Sequence, residues 1–112
     1  MALRTERDYE DPNVTQLAVF LQNRVGQLRE VLRCLDAAKV PTHALSVTDS
    51  ADFAVVRLVV GKVLDAREAL KREGFVATES NVLAVEVSDD RSGLLMLTQA
   101  LIHGEVNIHY AY

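Results

Sequence analysis

Tryptophan is absent from this 112-residue chain, cysteine occurs once, proline twice, and aromatic residues make up only 5%. The single cysteine, Cys34, excludes an internal disulfide and agrees with a reducing compartment. No apolar run approaches the roughly twenty residues that a membrane helix needs. The start lacks a positively charged segment leading into an apolar core, so no signal peptide is expected and a cytoplasmic location follows by default. An excess of basic residues is missing too: 12 Lys and Arg against 16 Asp and Glu leave a net charge of −4, which supplies no electrostatic footprint for nucleic acid. His43, His103 and His109 show no metal-ligand spacing with cysteines or carboxylates. Nothing resembles a nucleophile elbow or a convergent acid, base and nucleophile set. No metal, no cofactor and no catalytic residue is therefore expected. Cys34 reads as a small structural residue of a helix, not a nucleophile.

What is present is ordinary for a globular chain, with 49% apolar and 25% charged residues. The length suits one domain, or a small domain and part of a second. Residues 1–13 are charged, lack apolar periodicity and are expected to form a loose tail. The organising stretch runs from Leu17 to Val40, LAVFLQNRVGQLREVLRCLDAAKV. Leu17 to Leu21 is a continuous apolar run, which suits a strand buried on both faces. A polar turn ending at Gly26 follows. Leu28, Val31, Leu32, Leu35 and Ala38 then fall on one stripe of a helix, with Arg29, Glu30, Arg33 and Asp36 facing away.

The pattern returns in LAVEVSDDRSGLLMLTQALIHGEVNIHYAY from Leu83 onward. Leu17 pairs with Leu83 (83 − 17 = 66) and Val40 with Val106 (106 − 40 = 66), so an internal repeat of that period is present. Leu28, Val31 and Leu35 meet Leu94, Leu97 and Leu101. Only the glycine slips: Gly26 meets Ser92, and Gly93 lies one place further. This reads as one residue more in the second turn and one fewer in the second helix.

Between the repeats, Pro41 ends the first helix. A strand over about Thr42 to Thr48 alternates as an edge strand does, and Phe53 to Val60 is apolar on both faces except at Arg57. A guanidinium there needs a carboxylate, carbonyls or solvent. A helix over about Leu64 to Glu73 presents Ala66, Ala69 and Leu70 inward and stops at Gly74, and a strand from Phe75 to Ser80 follows. The order strand, helix, strand, strand, helix, strand predicts an α+β, ferredoxin-like βαββαβ unit. Its antiparallel four-stranded sheet carries two helices on one face, and a partial second βαβ unit follows. The apolar first and third strands are expected at the centre. Because helices cover only one face, the other predicts association, within the chain or between chains.

These stretches, with HALSVTDSADFAVVRLVV, resemble an ACT domain protein of the small tandem type, over nearly everything after the tail. The repeated strand, the Asn/Asp-Arg-x-Gly turn, the helix and the apolar-Asn-Ile strand carry the likeness. The resemblance implies a tandem repeat with module 1 over residues 14–81 and a partial module 2, strand, helix and strand only, over 82–112. Either the chain continues in nature, or the half module completes itself against another chain. It also implies a regulatory, allosteric protein that binds an amino acid where modules meet, through the first turn and the following strand.

Carried over by residue, the ligand turn is Asn23-Arg24-Val25-Gly26, leading into Gln27 and Leu28, in the first module. In the second it is Asp90-Arg91-Ser92-Gly93, leading into Leu94, with Asn107 on the following strand. A glycine lets backbone approach a ligand, helix-start N–H groups favour a carboxylate, and an Asn or Asp side chain can receive an ammonium group. The family's usual proline is replaced by Val25 and Ser92, and Pro41 stands where Asn107's counterpart would be, so the two sites are not equivalent. The partners implied are an amino acid, a second copy in a homodimer or higher homo-oligomer, and an enzyme of amino acid metabolism. No nucleic acid and no membrane partner is implied. The alternative is an assembly subunit that uses its ACT sheet surface and binds no ligand.

Overall fold

The computed structural model describes residues 13–22 and 25–112, so the expected tail, Asn13 apart, and the candidate residues Asn23 and Arg24 lie outside the described residues. Two compact units are formed. One holds residues 15–82 and Tyr112, and the other the described residues among 1–14 together with 83–111.

The first unit is built on the strands β1 (Asn13–Gln22), β2 (Thr42–Asp49), β3 (Phe53–Val60) and β4 (Val76–Leu83), with helices α1 (Gln27–Ala37) and α2 (Val63–Arg72) between them. The sheet order is β2-β3-β1-β4, the ferredoxin-like order, with the two most apolar strands in the centre. β1 runs antiparallel to β3, with Leu17 opposite Leu58 and Val19 opposite Val56, and β2 runs antiparallel to β3 on its other side. The first strand starts four residues before the apolar run that marked it, because Val14 and Thr15 are β-branched and Gln16 can be satisfied by side chains.

The inner face holds the core. Leu17, Val19, Val56 and Leu58 have no exposed surface, and Val31, Cys34 and Leu35 of α1 and Ala66, Ala69 and Leu70 of α2 close over them. The three inward residues expected of α2 are the three it buries. On α1 the phase differs slightly: Cys34 is buried, whereas Leu32, assigned to the inward stripe, is half-exposed. The two helices are further linked by Arg33, whose Nε donates to Glu30 at 2.9 Å and whose Nη2 lies 3.6 Å from Glu73. Burial pushes the Cys34 thiol up, with Glu73 adding to the shift, so it stays protonated and is a poor nucleophile.

The residues of β1 and β3 that alternate with these point away from the helices. On this side Phe20 and Phe53 are 42% and 50% exposed, and Ala18, Val55 and Val59 are half-buried. Arg57 sits in this row, half-buried, and its Nη1 donates to Thr48 Oγ1 at 2.9 Å across to β2. A hydroxyl is thus one acceptor of this partly exposed guanidinium, for which the sequence predicts a carboxylate, carbonyls or solvent. Gln16 is the buried polar residue of the row. Its amide donates to Ser80 Oγ at 3.1 Å and its carbonyl oxygen accepts from the Tyr112 hydroxyl at 2.6 Å.

Both helices end the same way. Lys39, with φ 60°, follows α1; its N–H donates to the Asp36 carbonyl and that of Val40 to the Leu35 carbonyl. Gly74, with φ 86°, follows α2, with Gly74 bonded to Lys71 and Phe75 to Leu70. This is the Schellman arrangement, in which a left-handed residue lets the last carbonyls find donors.

In the second unit, helix α3 (Gly93–His103) is 11 residues long, as is α1, and both of its ends lie 66 places after those of α1 (93 − 27 and 103 − 37). The helix is therefore not shortened, contrary to the glycine count: Ser92 takes the cap position and Gly93 becomes the first helical residue. Glu105 repeats Lys39 (105 − 39 = 66), with φ 57°, Glu105 bonded to Ile102 and Val106 to Leu101. The segments 84–88 and 105–112 beside α3 are not regular strands. The reason lies in the topology. In the first unit β1 and β2 pair with β3 and not with each other, so two such flanks offer each other no ladder. Leu94, Leu95 and Ile102 of α3 are all more than half exposed.

Two stability changes follow. Leu58→Ala removes a fully buried side chain between β1 and β3 and is expected to cost about 2–5 kcal/mol in urea unfolding. Lys39→Gly removes the roughly 1–2 kcal/mol cost of a left-handed side-chain residue, less about 0.5–1 kcal/mol of added unfolded-state entropy. Chemical denaturation should show a net gain of up to about 1 kcal/mol.

Candidate functional site

The first candidate turn links a central strand to the helix that covers it. Only Asn23 to Gly26 separate the end of β1 from the start of α1, so the chain must reverse sharply. Gly26 does this with φ 89° and ψ −8°, in left-handed space. A Cβ built there would meet none of the described residues within 4 Å, so the glycine is needed for its backbone angle. Val25 is fully exposed. The Gly26 carbonyl accepts from the Glu30 N–H at 3.1 Å to open the helix, and among the described residues no side chain caps it. An uncapped helix start leaves N–H donors facing outward and a positive dipole end.

A shallow open depression runs from this turn along the outer side of α1, lined by Gly26, Leu28, Arg29, Leu32, Arg33 and Asp36. It brings Gly26 and Leu28 of the expected site together with four residues that sequence reasoning places elsewhere: Leu32 on the core stripe, and Arg29, Arg33 and Asp36 on the solvated face. The i, i+4 pairs Leu28–Leu32 and Arg29–Arg33 were the available signal, since such pairs share one helical face. Leu28 is half-buried against the core and fixes the first turn of the helix.

The second turn has a different construction. Asp90 Oδ1 accepts from the Ser92 N–H at 3.0 Å, from Ser92 Oγ at 2.8 Å and from Ser88 Oγ at 3.4 Å, and the Gly93 N–H donates to the Asp90 carbonyl at 3.3 Å. The bonds from Ser92 hold the Asp90 carboxyl below the usual carboxylate range. The sign follows. A group whose folded value is lowered contributes stability that is full above its ordinary range and is lost as pH falls through the lowered value. Ser92 has φ −88°, in right-handed space. Gly93 is buried, and a Cβ on it would run into the Ser88 carbonyl oxygen and stand 2.7 Å from Val87 Cγ1. The structure brings Asp90, Ser92 and Gly93 together, leaves Arg91 and Leu94 exposed, and forms no hydrogen bond between exposed Asn107 and the turn among the described residues. Among the described residues no three His, Cys, Asp or Glu side chains gather as a metal site would need, and no helix is long and apolar enough to cross a membrane.

A four-stranded sheet of this order, a left-handed glycine between the first strand and its helix, and a second helix at a constant offset describe a βαββαβ unit followed by a copy of its beginning. Comparison with known proteins agrees. The model of the ACT domain pair matches residues 13–112. The solved structure of protein BT0572 from Bacteroides thetaiotaomicron is similar, with a TM-score of 0.85 and 29% identity over 90% of this chain and 70% of that one. A formyltetrahydrofolate deformylase from Burkholderia mallei aligns with a TM-score of 0.46 and 19% identity, over 84% of this chain and 39% of that one. No curated protein matches the chain. With the match running through both candidate turns and all three helices, the chain belongs to the ACT domain pair family, whose domains are regulatory ligand-binding modules and not catalysts.

Proposed function

We propose that this chain is an allosteric sensor of a free amino acid, held at the turn between β1 and α1, and that binding changes how it associates with itself or with an enzyme of amino acid metabolism. The observation that carries the reading is the start of α1, which among the described residues no side chain caps, behind a left-handed Gly26 that meets no other described atom at its Cβ position. A ligand carboxylate suits the N–H groups there, and the amide of Asn23 offers an acceptor for an ammonium group. Arg24, Val25, Gln27 and Leu28 complete the turn and the helix start. In this reading module 1 spans residues 14–81, residues 82–112 begin module 2, and the protein works in the cytoplasm.

One observation favours a second reading, an assembly subunit without a ligand. The side of the sheet away from the helices exposes Phe20 and Phe53, and α3 exposes Leu94 and Leu95 at its start and Ile102 near its end, surfaces suited to burial against protein.

Calorimetry and thermal melting against the proteinogenic L-amino acids, one at a time, separate the two. The sensor reading expects one of them to raise Tm, because it binds only the folded state. Asn23→Ala should then weaken binding by about 1.5–3 kcal/mol, roughly tenfold to a hundredfold, with Tm unchanged. Sedimentation at micromolar concentration should show a dimer or larger whose dissociation shifts with that amino acid. A compact monomer under both conditions overturns the association.

A further inference from the structure

We infer that residues 83–112 are one half of a module, and that the other half is the same segment of a second copy of this chain, set across a two-fold axis that puts Val85 opposite its own counterpart. No ligand enters this inference; it names the surface through which the association proposed above takes place.

The first unit is already built from two such halves. β1, α1 and β2 form one and β3, α2 and β4 the other, and in the order β2-β3-β1-β4 the first strand of each half lies between the two strands of the other. The helices repeat at an offset of 35: Val31, Cys34 and Leu35 correspond to Ala66, Ala69 and Leu70, and left-handed Lys39 to left-handed Gly74 (74 − 39 = 35). The buried strand residues repeat at 37, Val19 with Val56 (56 − 19 = 37) and Leu21 with Leu58, because the turn before α2 is two residues shorter than the turn before α1. Val19 and Val56 are also direct partners across the β1–β3 ladder. The pseudo-two-fold axis of the unit therefore passes through that pair.

A third half follows, with α3 in the place of α1 at an offset of 66, and among the described residues its core is open. Its inward positions carry the same kinds of residue with far less cover. Leu17 is fully buried, whereas Leu83 is 49% exposed; Val40 is 5% exposed, and Val106 47%. Val31 and Leu35 are buried, while Leu97 and Leu101, which repeat them, are only half-buried. In the first unit these positions are closed by another strand-helix-strand half, so a half of that shape is what the third one fits.

The charges select a like partner. A two-fold contact sets the same surface against itself, so an ionised residue near the axis would meet its own sign. α1 and α2, which differ, are linked through Arg33 and Glu73. α3 has no Asp, Glu, Lys or Arg from Gly93 to His103, and two copies of it can lie side by side without repulsion. Carried forward by 66, the axis at Val19 falls on Val85 (19 + 66 = 85), and Leu83 of one copy then stands opposite Val87 of the other (83 + 87 = 2 × 85).

Cysteine cross-linking reads that register. In a Cys34→Ala background, where each introduced thiol is the only one, Val85→Cys should give a disulfide-linked dimer under mild oxidation. Directly opposed strand residues have Cα atoms about 4.5–5.5 Å apart, within the roughly 4.4–6.8 Å that a disulfide spans. Val87→Cys should not cross-link to itself, because its counterpart lies four residues, roughly 13 Å, along the strand. It should cross-link to Leu83→Cys when the two chains are mixed. Thermal melting under reducing conditions shows which variants fold, and if Val85→Cys does not, the mixed pair decides. Folded variants that stay uncross-linked while sedimentation shows a dimer overturn this interface and leave the association standing. A folded monomer overturns both, and self-cross-linking of Val87→Cys as complete as that of Val85→Cys overturns the two-fold register.

Discussion

Four side chains without exposed surface, Leu17 and Val19 on β1 and Val56 and Leu58 on β3, set the terms for the first unit. They sit opposite one another across the central strand pair, and their burial requires apolar cover close above. α1 provides part of it through Val31, Cys34 and Leu35, and can do so only if the chain leaves β1, turns back and enters a helix within four residues. A left-handed residue is the economical way to make that reversal, and Gly26 makes it without steric cost. The outward-facing helix start is thus a by-product of packing. The geometry of this turn is one that the core already demands.

The second unit shows what happens when the same geometry is met by other residues. Asp90 accepts from Ser92 and Ser88 ahead of α3, and Gly93 packs closely against Val87 and Ser88. α3 carries apolar residues around most of its surface, and only Gly93 is buried. α1, by contrast, has a clear wet side and a clear dry one. A helix that is apolar all round is built for enclosure, and the segments beside α3 have the composition of strands without a ladder.

Most of this fold can be read in the sequence because burial imposes a period. The apolar runs at Leu17–Leu21 and, interrupted only by Arg57, at Phe53–Val60 identify the central strands, since a strand with neighbours on both sides needs such a run, and β3 has the bounds its run suggested. Ala66, Ala69 and Leu70 are legible for the same reason. Details that depend on side-chain hydrogen bonds are not. The early start of β1 turns on Gln16 finding Ser80 and Tyr112, partners 64 and 96 residues away. The phase of α1 shifts by a fraction of a turn, enough to bury Cys34 and lift Leu32 to the edge of the depression, because a stripe of leucines leaves the helix some freedom to roll. The site residues could be located to their turns by motif, but the motif treats Gly26 and Gly93 alike. Their difference lies in one backbone angle and one close approach, neither of which a residue type records.

The helix ends have a consequence for how such a pair can change over time. Lys39 and Glu105 close their helices onto the segments that follow through the same two hydrogen bonds, with Val40 and Val106 set against the preceding turn. Each helix is thus indexed from its far end, and its near end carries none of the responsibility for register. A residue gained, lost or exchanged before α1 or α3 can be absorbed in the turn, as the displaced glycine of the second repeat was, without moving any core residue. The turn before each helix is therefore the part most free to mutate, and two copies of one scaffold can drift apart there while their cores stay interchangeable.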